Sequence, residues 1–275
     1  MATSPQDLLA AGDPAGALKA LQQTVRANAA DAKQRIFLFQ LLCVLGQWQR
    51  ALDQLKVCGE LDASALVMVN TYDPAIRCEA VREAVFAGRT LPHVFGPPSP
   101  WVALLAQALQ LDAQGQPQAA TQNRAQALDQ AEPSAGLLGD TRFEWLADAD
   151  SRLGPTLEVI INGRYGWLPF SHLKALVVEP VADLRDLVWA PAHLRFHNGG
   201  DTVALLPVRY AGTPLAEGGS MALSRQTDWL PLGDGQFRGV GQRLLSSDAA
   251  ELGLLEVKTI TFDDAGPAPD AMQDA

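Results

Sequence analysis

Hydrophobic positions repeat with one period in the first half of the chain and another in the second. Leu18, Leu21 and Val25 mark one face at helical spacing, and residues 36–45 are apolar on almost every side, as in a buried helix. Leu52, Leu55 and Val57 continue the pattern, followed by Leu61, Leu66, Val67 and Val69. A further helix is predicted over Pro74–Ala87, with Ile76, Val81, Val85 and Phe86 inward. Pro92, Pro97, Pro98 and Pro100 interrupt the pattern and predict a rigid spacer. Helices resume over Trp101–Ala113 and Gln118–Ala131, and Pro133 with Gly136 and Gly139 closes the helical half.

The helices repeat. Gly12-Asp-Pro-Ala-Gly-Ala17-Leu18 returns 34 residues later as Gly46-Gln-Trp-Gln-Arg-Ala51-Leu52. That is the period of a tetratricopeptide helix pair. Gly115-Gln-Pro-Gln-Ala119-Ala120 lies a further 69 residues on, close to two more periods. Each glycine is placed to take the left-handed conformation that ends a helix, and the small residue five positions on lets the next helix approach. A helical-hairpin array follows, with a groove of the kind that holds an extended or helical partner segment.

Beyond residue 136 the pattern shortens to strands. Leu157–Ile161 and Tyr165–Leu168 flank Asn162-Gly163, a two-residue hairpin signal. Leu173–Val178, Thr202–Leu206, Val208–Tyr210, Thr227–Leu230 and Leu254–Phe262 are further strand candidates, and Ala182–Trp189 reads as a short helix. No glycine-rich phosphate loop follows a strand, so no nucleotide cofactor is indicated. The fold class is α+β in two domains: a TPR-like helical-hairpin array over residues 1–135 and a smaller α+β domain with an irregular sheet over 136–262. Residues 263–275 read as an acidic tail.

Charge adds one constraint. The net charge is −10, and residues 1–135 carry 10 Lys/Arg against 12 Asp/Glu, leaving 11 against 19 for the remainder. Such a surface repels nucleic acid and anionic membranes. No apolar run is long enough to span a bilayer, and the N-terminus lacks signal-peptide character. Cytoplasmic residence is the expectation by elimination. Cys43, Cys58 and Cys78 have no metal-ligand spacing and sit in apolar helical pattern as small core residues.

The candidate chemistry lies in Phe143–Phe170. Phe143, Trp145, Tyr165, Trp167, Phe170 and the more distant Trp189 surround Asp148, Asp150, Arg152, Glu158 and Arg164; Asp183, Arg185 and Asp186 form a second cluster. Paired acids can perform general acid–base chemistry or bind a cation. Interleaved arginines instead favour bidentate pairing that holds loops and domain faces together. A structural network of Trp145, Asp148, Asp150, Arg152, Glu158, Arg164, Trp167, Arg185 and Asp186 is the reading preferred here. A partner-facing surface and a hydrolase using Asp148, Asp150 and His172 stand beside it. His93, His172, His193 and His197 show no zinc spacing.

Several of these segments carry a resemblance. Leu38-Phe-Gln-Leu-Leu42, Gly46-Gln-Trp-Gln-Arg-Ala-Leu-Asp-Gln-Leu55 and Val85-Phe86-Ala-Gly88 resemble the ImpE/SciE family, also called TagJ. So do Trp145-Leu-Ala-Asp-Ala-Asp-Ser-Arg-Leu-Gly-Pro155, Glu158, Asn162-Gly-Arg-Tyr165, Trp167-Leu-Pro-Phe170 and Asp183-Leu-Arg-Asp-Leu-Val-Trp189. Pro207-Val-Arg-Tyr210, Arg225-Gln-Thr-Asp-Trp229 and Gly239-Val-Gly-Gln-Arg243 continue the match.

The resemblance implies a non-enzymatic accessory protein of type VI secretion. It would bind a helical segment of the small sheath subunit, TssB/VipA-like, and be linked to sheath handling and the ClpV-type ATPase. It implies neither a cofactor nor catalytic residues, and it places no partner contacts on this chain. From the repeat alone, Gln40, Gln47, Trp48, Arg50 and Gln54 are the contact candidates. Trp48 is the sharpest, its alternative role being a wedge between helix pairs. A third reading is a scaffold whose groove is filled by its own proline-rich spacer.

Overall fold

A computed structural model describes residues 3–264 apart from 98 and 218. Seven helices open the chain: α1 (Pro5–Ala10), α2 (Pro14–Ala27), α3 (Ala32–Val44), α4 (Trp48–Leu61), α5 (Leu66–Phe86), α6 (Pro100–Ala113) and α7 (Pro117–Gln130). The repeat glycines end helices as their spacing implies. Gly12, Gly46 and Gly115 have φ of 81°, 64° and 73°, and Ala17, Ala51 and Ala120 are fully buried where the next helix packs. Ser4, Asp13 and Asp31 cap α1, α2 and α3 by accepting backbone N–H groups.

Three helical expectations change. Pro74 lies inside α5, which runs 21 residues instead of starting at that proline. Val81 faces outward at 47% exposure, while Glu79 and Arg82 are buried on the inward stripe. The periodicity was right, but two charged residues occupy positions that an apolar pattern assigns to hydrophobes. The spacer is not in the helical groove either. His93–Val94 forms β1, parallel to β6 (Arg164–Pro169), and the Phe95 N–H donates to Trp167 O at 2.9 Å.

The second half is a mixed, open sheet. Besides β1 and β6 the strands are β2 (Gly136–Leu138), β3 (Thr141–Phe143), β4 (Leu146–Asp148), β5 (Thr156–Ile161), β7 (Leu173–Val178), β8 (Trp189–Phe196) and β9 (Asp201–Pro207). After the short α8 (Gly219–Ala222) come β10 (Thr227–Gly233), β11 (Gln236–Gly241), β12 (Leu244–Ser247), β13 (Glu251–Gly253) and β14 (Thr259–Phe262). Nine strands join in the order β1-β6-β5-β9-β8-β7-β14-β2-β3; β10–β11 form a separate ribbon, and β13-β12-β4 a small third sheet. Asn162 and Gly163 both have positive φ, 50° and 71°, and close the β5–β6 hairpin as the Asn-Gly signal required. The short helix foreseen at 182–189 is a 3₁₀ turn over Leu184–Leu187, and Trp189 starts a strand. Val208–Tyr210 makes only the isolated bridge Arg209–Gln242, and Leu254–Phe262 is strand only in its last four residues.

The main sheet has two differently covered faces. Ile160, Tyr165, Trp167 and Trp189 share one core with the helices. Leu157, Val159, Leu168, Leu194 and Leu206 share the other with Leu245, Leu254 and Val257. The helical array and the sheet are thus packed directly on one another. Residues 265–275, most of the tail segment, lie outside the described residues.

Candidate functional site

Where α5 meets the sheet, the charged residues form one buried network. Strand alternation turns Glu158, fully buried on β5, toward the helical side, and Arg82 reaches it from α5. Arg82 Nε and Nη2 donate to the two Glu158 oxygens at 2.7 and 2.9 Å, a bidentate pair. Tyr165 donates its hydroxyl to Glu158 at 2.5 Å and accepts the Trp167 indole N–H at 3.0 Å. Arg243, fully buried, bridges Glu158 to Asp148, and its Nε donates to Pro207 O at 3.0 Å. The Tyr210 hydroxyl donates to Asp148 at 3.0 Å. Burial alone would raise the Glu158 carboxyl, but Arg82 and Arg243 hold it down at about 2. At Asp148 burial dominates and, with the nearby Asp150, pushes the carboxyl up to about 7 against the pull of Arg243.

The network extends into both halves. The Trp189 indole donates to Glu79 at 2.8 Å, and Arg82 Nη2 donates to Arg209 O at 2.6 Å. Arg209 has no carboxylate partner among the described residues. Its guanidinium donates to Val44 O at 2.5 Å, Ala222 O at 2.8 Å and Cys43 O at 3.3 Å, satisfying carbonyls at the ends of α3 and α8. Arg152 pairs with Asp150 at 2.6 Å and lies 4.7 Å from the Phe86 ring centroid. Asp150 also accepts the Gly239 N–H at 2.9 Å. These carboxylates are thus engaged by arginine, tyrosine or backbone donors.

Four predicted members stand outside it, two of them on the surface and two in a cluster of their own. Arg164 is exposed at the tip of the β5–β6 hairpin, which swings clear of β9. Trp145 is 41% exposed in the turn between β3 and β4. Trp167 is fully buried in the network, whereas Arg185 and Asp186 form a separate cluster. There Asp186 accepts the Ala182 and Asp183 N–H groups at 2.9 and 2.8 Å. Arg185 pairs with Asp183 and lies 4.8 Å from the Tyr72 ring centroid. His172 is half-buried with Nδ1 3.1 Å from Phe95 O. Among the described residues no three His, Cys, Asp or Glu side chains are placed to hold a metal ion. The three cysteines are buried, and burial pushes Cys58 and Cys78 up to about 11.

Sequence reasoning missed Glu79, Arg82, Arg209, Tyr210 and Arg243. The available signal was a Glu–Arg pair at i, i+3 inside an apolar helical stripe, together with lone arginines beside strand ends. The contact candidates are divided. Gln40 is buried and spent within the chain: its amide nitrogen donates to Asp183 at 3.3 Å and its oxygen accepts the Leu184 N–H at 3.1 Å. Trp48 is half-buried with its ring 5.7 Å from that of Trp189. Gln47 accepts from Arg50. Arg50 and Gln54 line a cleft of about 290 Å³ between α2, α3 and α4, joined there by Arg26 and Arg35.

Fold and site together define a helical-hairpin array braced to a mixed sheet by a buried charge network. The ImpE protein family matches residues 140–261. The chain is 55% identical to the Pseudomonas aeruginosa type VI secretion system accessory component TagJ, over 94% of this chain and 90% of that protein. The chain belongs to the ImpE family, and its general role is that of a type VI secretion accessory protein. A crystal structure of a Vibrio parahaemolyticus protein, 21% identical, shares the fold with a TM-score of 0.87 over 95% of this chain and 98% of its own. No helix among the described residues is long and apolar enough to cross a membrane.

Proposed function

We propose that the protein is a non-enzymatic adaptor that binds a helical segment of the small contractile-sheath subunit, TssB/VipA-like, and thereby serves sheath assembly or its ClpV-dependent recycling. The 55% identity to TagJ over nearly the whole chain supports the accessory role, and the sheath partner is what the resemblance to the ImpE/SciE family implies. The helical repeat, roughly residues 1–135, is the binding part, and the sheet domain, roughly 136–262, stiffens it. The cleft between α2, α3 and α4 suits a helix: Leu38 and Leu42 lie along it, and Arg26, Arg35 and Arg50 are positioned to meet acidic side chains.

Isothermal titration calorimetry with the purified sheath small subunit tests the proposal. A complex is expected that weakens at least tenfold for the double variant Arg50→Glu/Gln54→Ala while the melting temperature stays within about 2 °C of wild type. Absence of a complex at high micromolar concentration refutes the adaptor reading. Binding that ignores the double variant moves the site off this cleft.

A further inference from the structure

The nine-stranded sheet has a gap. β8 and β9 pair at seven positions and β5 and β6 at six, yet β5 and β9, which run side by side, share the single ladder pair Ile160–Leu205. Past that pair the β5–β6 hairpin swings to α5, where a Cβ on Gly163 would lie 2.8 Å from Pro74. The Phe196 N–H donates to Gly200 O and the Val208 N–H to Val188 O. Even-numbered residues of β9 therefore bond to β8, and odd-numbered ones face β5. Leu205 finds Ile160. Val203 would face Asn162, but Asn162 has turned into the left-handed hairpin conformation. Among the described residues nothing pairs with the Val203 N–H on that side, and its carbonyl accepts only the Thr202 hydroxyl, at 3.3 Å.

The gap opens into a cavity of about 550 Å³ lined by Tyr72, Pro74, Ile160, His193, Val203 and Leu205. The sheet outruns the helices here, leaving Val203 62% exposed. One acid lines the cavity: among the described residues Glu179 has only His193 within ion-pair distance, at 3.5 Å.

We propose that this gap accepts a strand from a partner protein. The segment is extended, with apolar residues at alternate positions and a lysine or arginine at one end. It hydrogen-bonds to Val203 on the free edge of β9 and seats an apolar side chain between Tyr72, Pro74 and Leu205. A basic end faces Glu179. Free backbone groups select a strand over a helix, because a helix has already used its own donors and acceptors. The site is separate from the cleft between α2, α3 and α4 and does not depend on the sheath reading.

A fluorescein-labelled heptapeptide of alternating valine and threonine with a lysine at each end is the probe, titrated with the full chain and followed by anisotropy. The expected result is saturable binding, protection of the Val203 amide from hydrogen exchange, and at least tenfold weaker binding for Val203→Pro. That substitution removes only the N–H facing the gap and leaves the β8 ladder intact. Glu179→Arg, at the surface, is expected to weaken binding at least threefold with an unchanged melting curve. No binding at 1 mM overturns the proposal, as does binding indifferent to both variants. Preferential binding of an amphipathic helical peptide at Val203, or occupation of the gap by a second copy of the chain, also overturns it.

Discussion

Replacing Arg243 by methionine keeps most of the apolar stem and deletes the charge that joins the network. The residue is fully buried, so water cannot replace what it gives. Glu158 keeps Arg82 at 2.7 and 2.9 Å and Tyr165 at 2.5 Å. Asp148 keeps only the Tyr210 hydroxyl at 3.0 Å and the Asp150 N–H at 2.8 Å, so it takes most of the penalty and binds a proton. Removing one partner of a buried ion pair costs about 3–5 kcal/mol. At about 2–4 °C per kcal/mol for a chain of this size, Arg243→Met should melt about 6–20 °C lower by circular dichroism. The double variant Arg243→Met/Asp148→Asn should recover about 1 kcal/mol or more relative to the sum of the singles, because the stranded carboxylate is gone. A drop under 2 °C, or strict additivity, would refute the claim that this network braces the two halves.

Three further tests probe other parts of the molecule. The Glu158 carboxyl lies near 2, below its ordinary 4.5, so its contribution is present in full above pH 4.5 and is lost as pH falls toward 2. Urea titrations should show the advantage of wild type over Glu158→Gln shrinking by about 3 kcal/mol across that window, and a constant advantage contradicts the assignment. Gly88 has φ 66° and a Cβ there would lie 2.6 Å from Leu109 O, whereas Gly12, φ 81°, has open space around it. Gly12→Ala should cost about 1–2 kcal/mol and Gly88→Ala clearly more; equal costs would remove the close-approach argument. Trp48→Ala should destabilise by about 2–3 kcal/mol through lost contact with Trp189. Lost partner binding with an unchanged melting curve would instead make Trp48 a contact residue.

The repeat, the hairpin and the two-part α+β class were legible in the sequence because each rests on local rules. A glycine at a helix end, an Asn-Gly turn and apolar periods of 3.6 and 2 act within a few residues of one another. The family resemblance added the accessory role in type VI secretion, and the identity to TagJ bears that general role out. Only the tertiary structure decided which charges meet. Arg82, Glu158 and Arg243 are separated by 76 and 85 residues along the chain, and no local pattern pairs them. It likewise turned Arg164 and Trp145 outward and tied Gln40 to Asp183. The acids and arginines of Phe143–Phe170 were visible from the start, but their partners came from α5 and the segment after β11. Burying a charge is tolerated only where an opposite charge and hydrogen bonds await it, and the packing of the helices on the sheet alone brings those partners together.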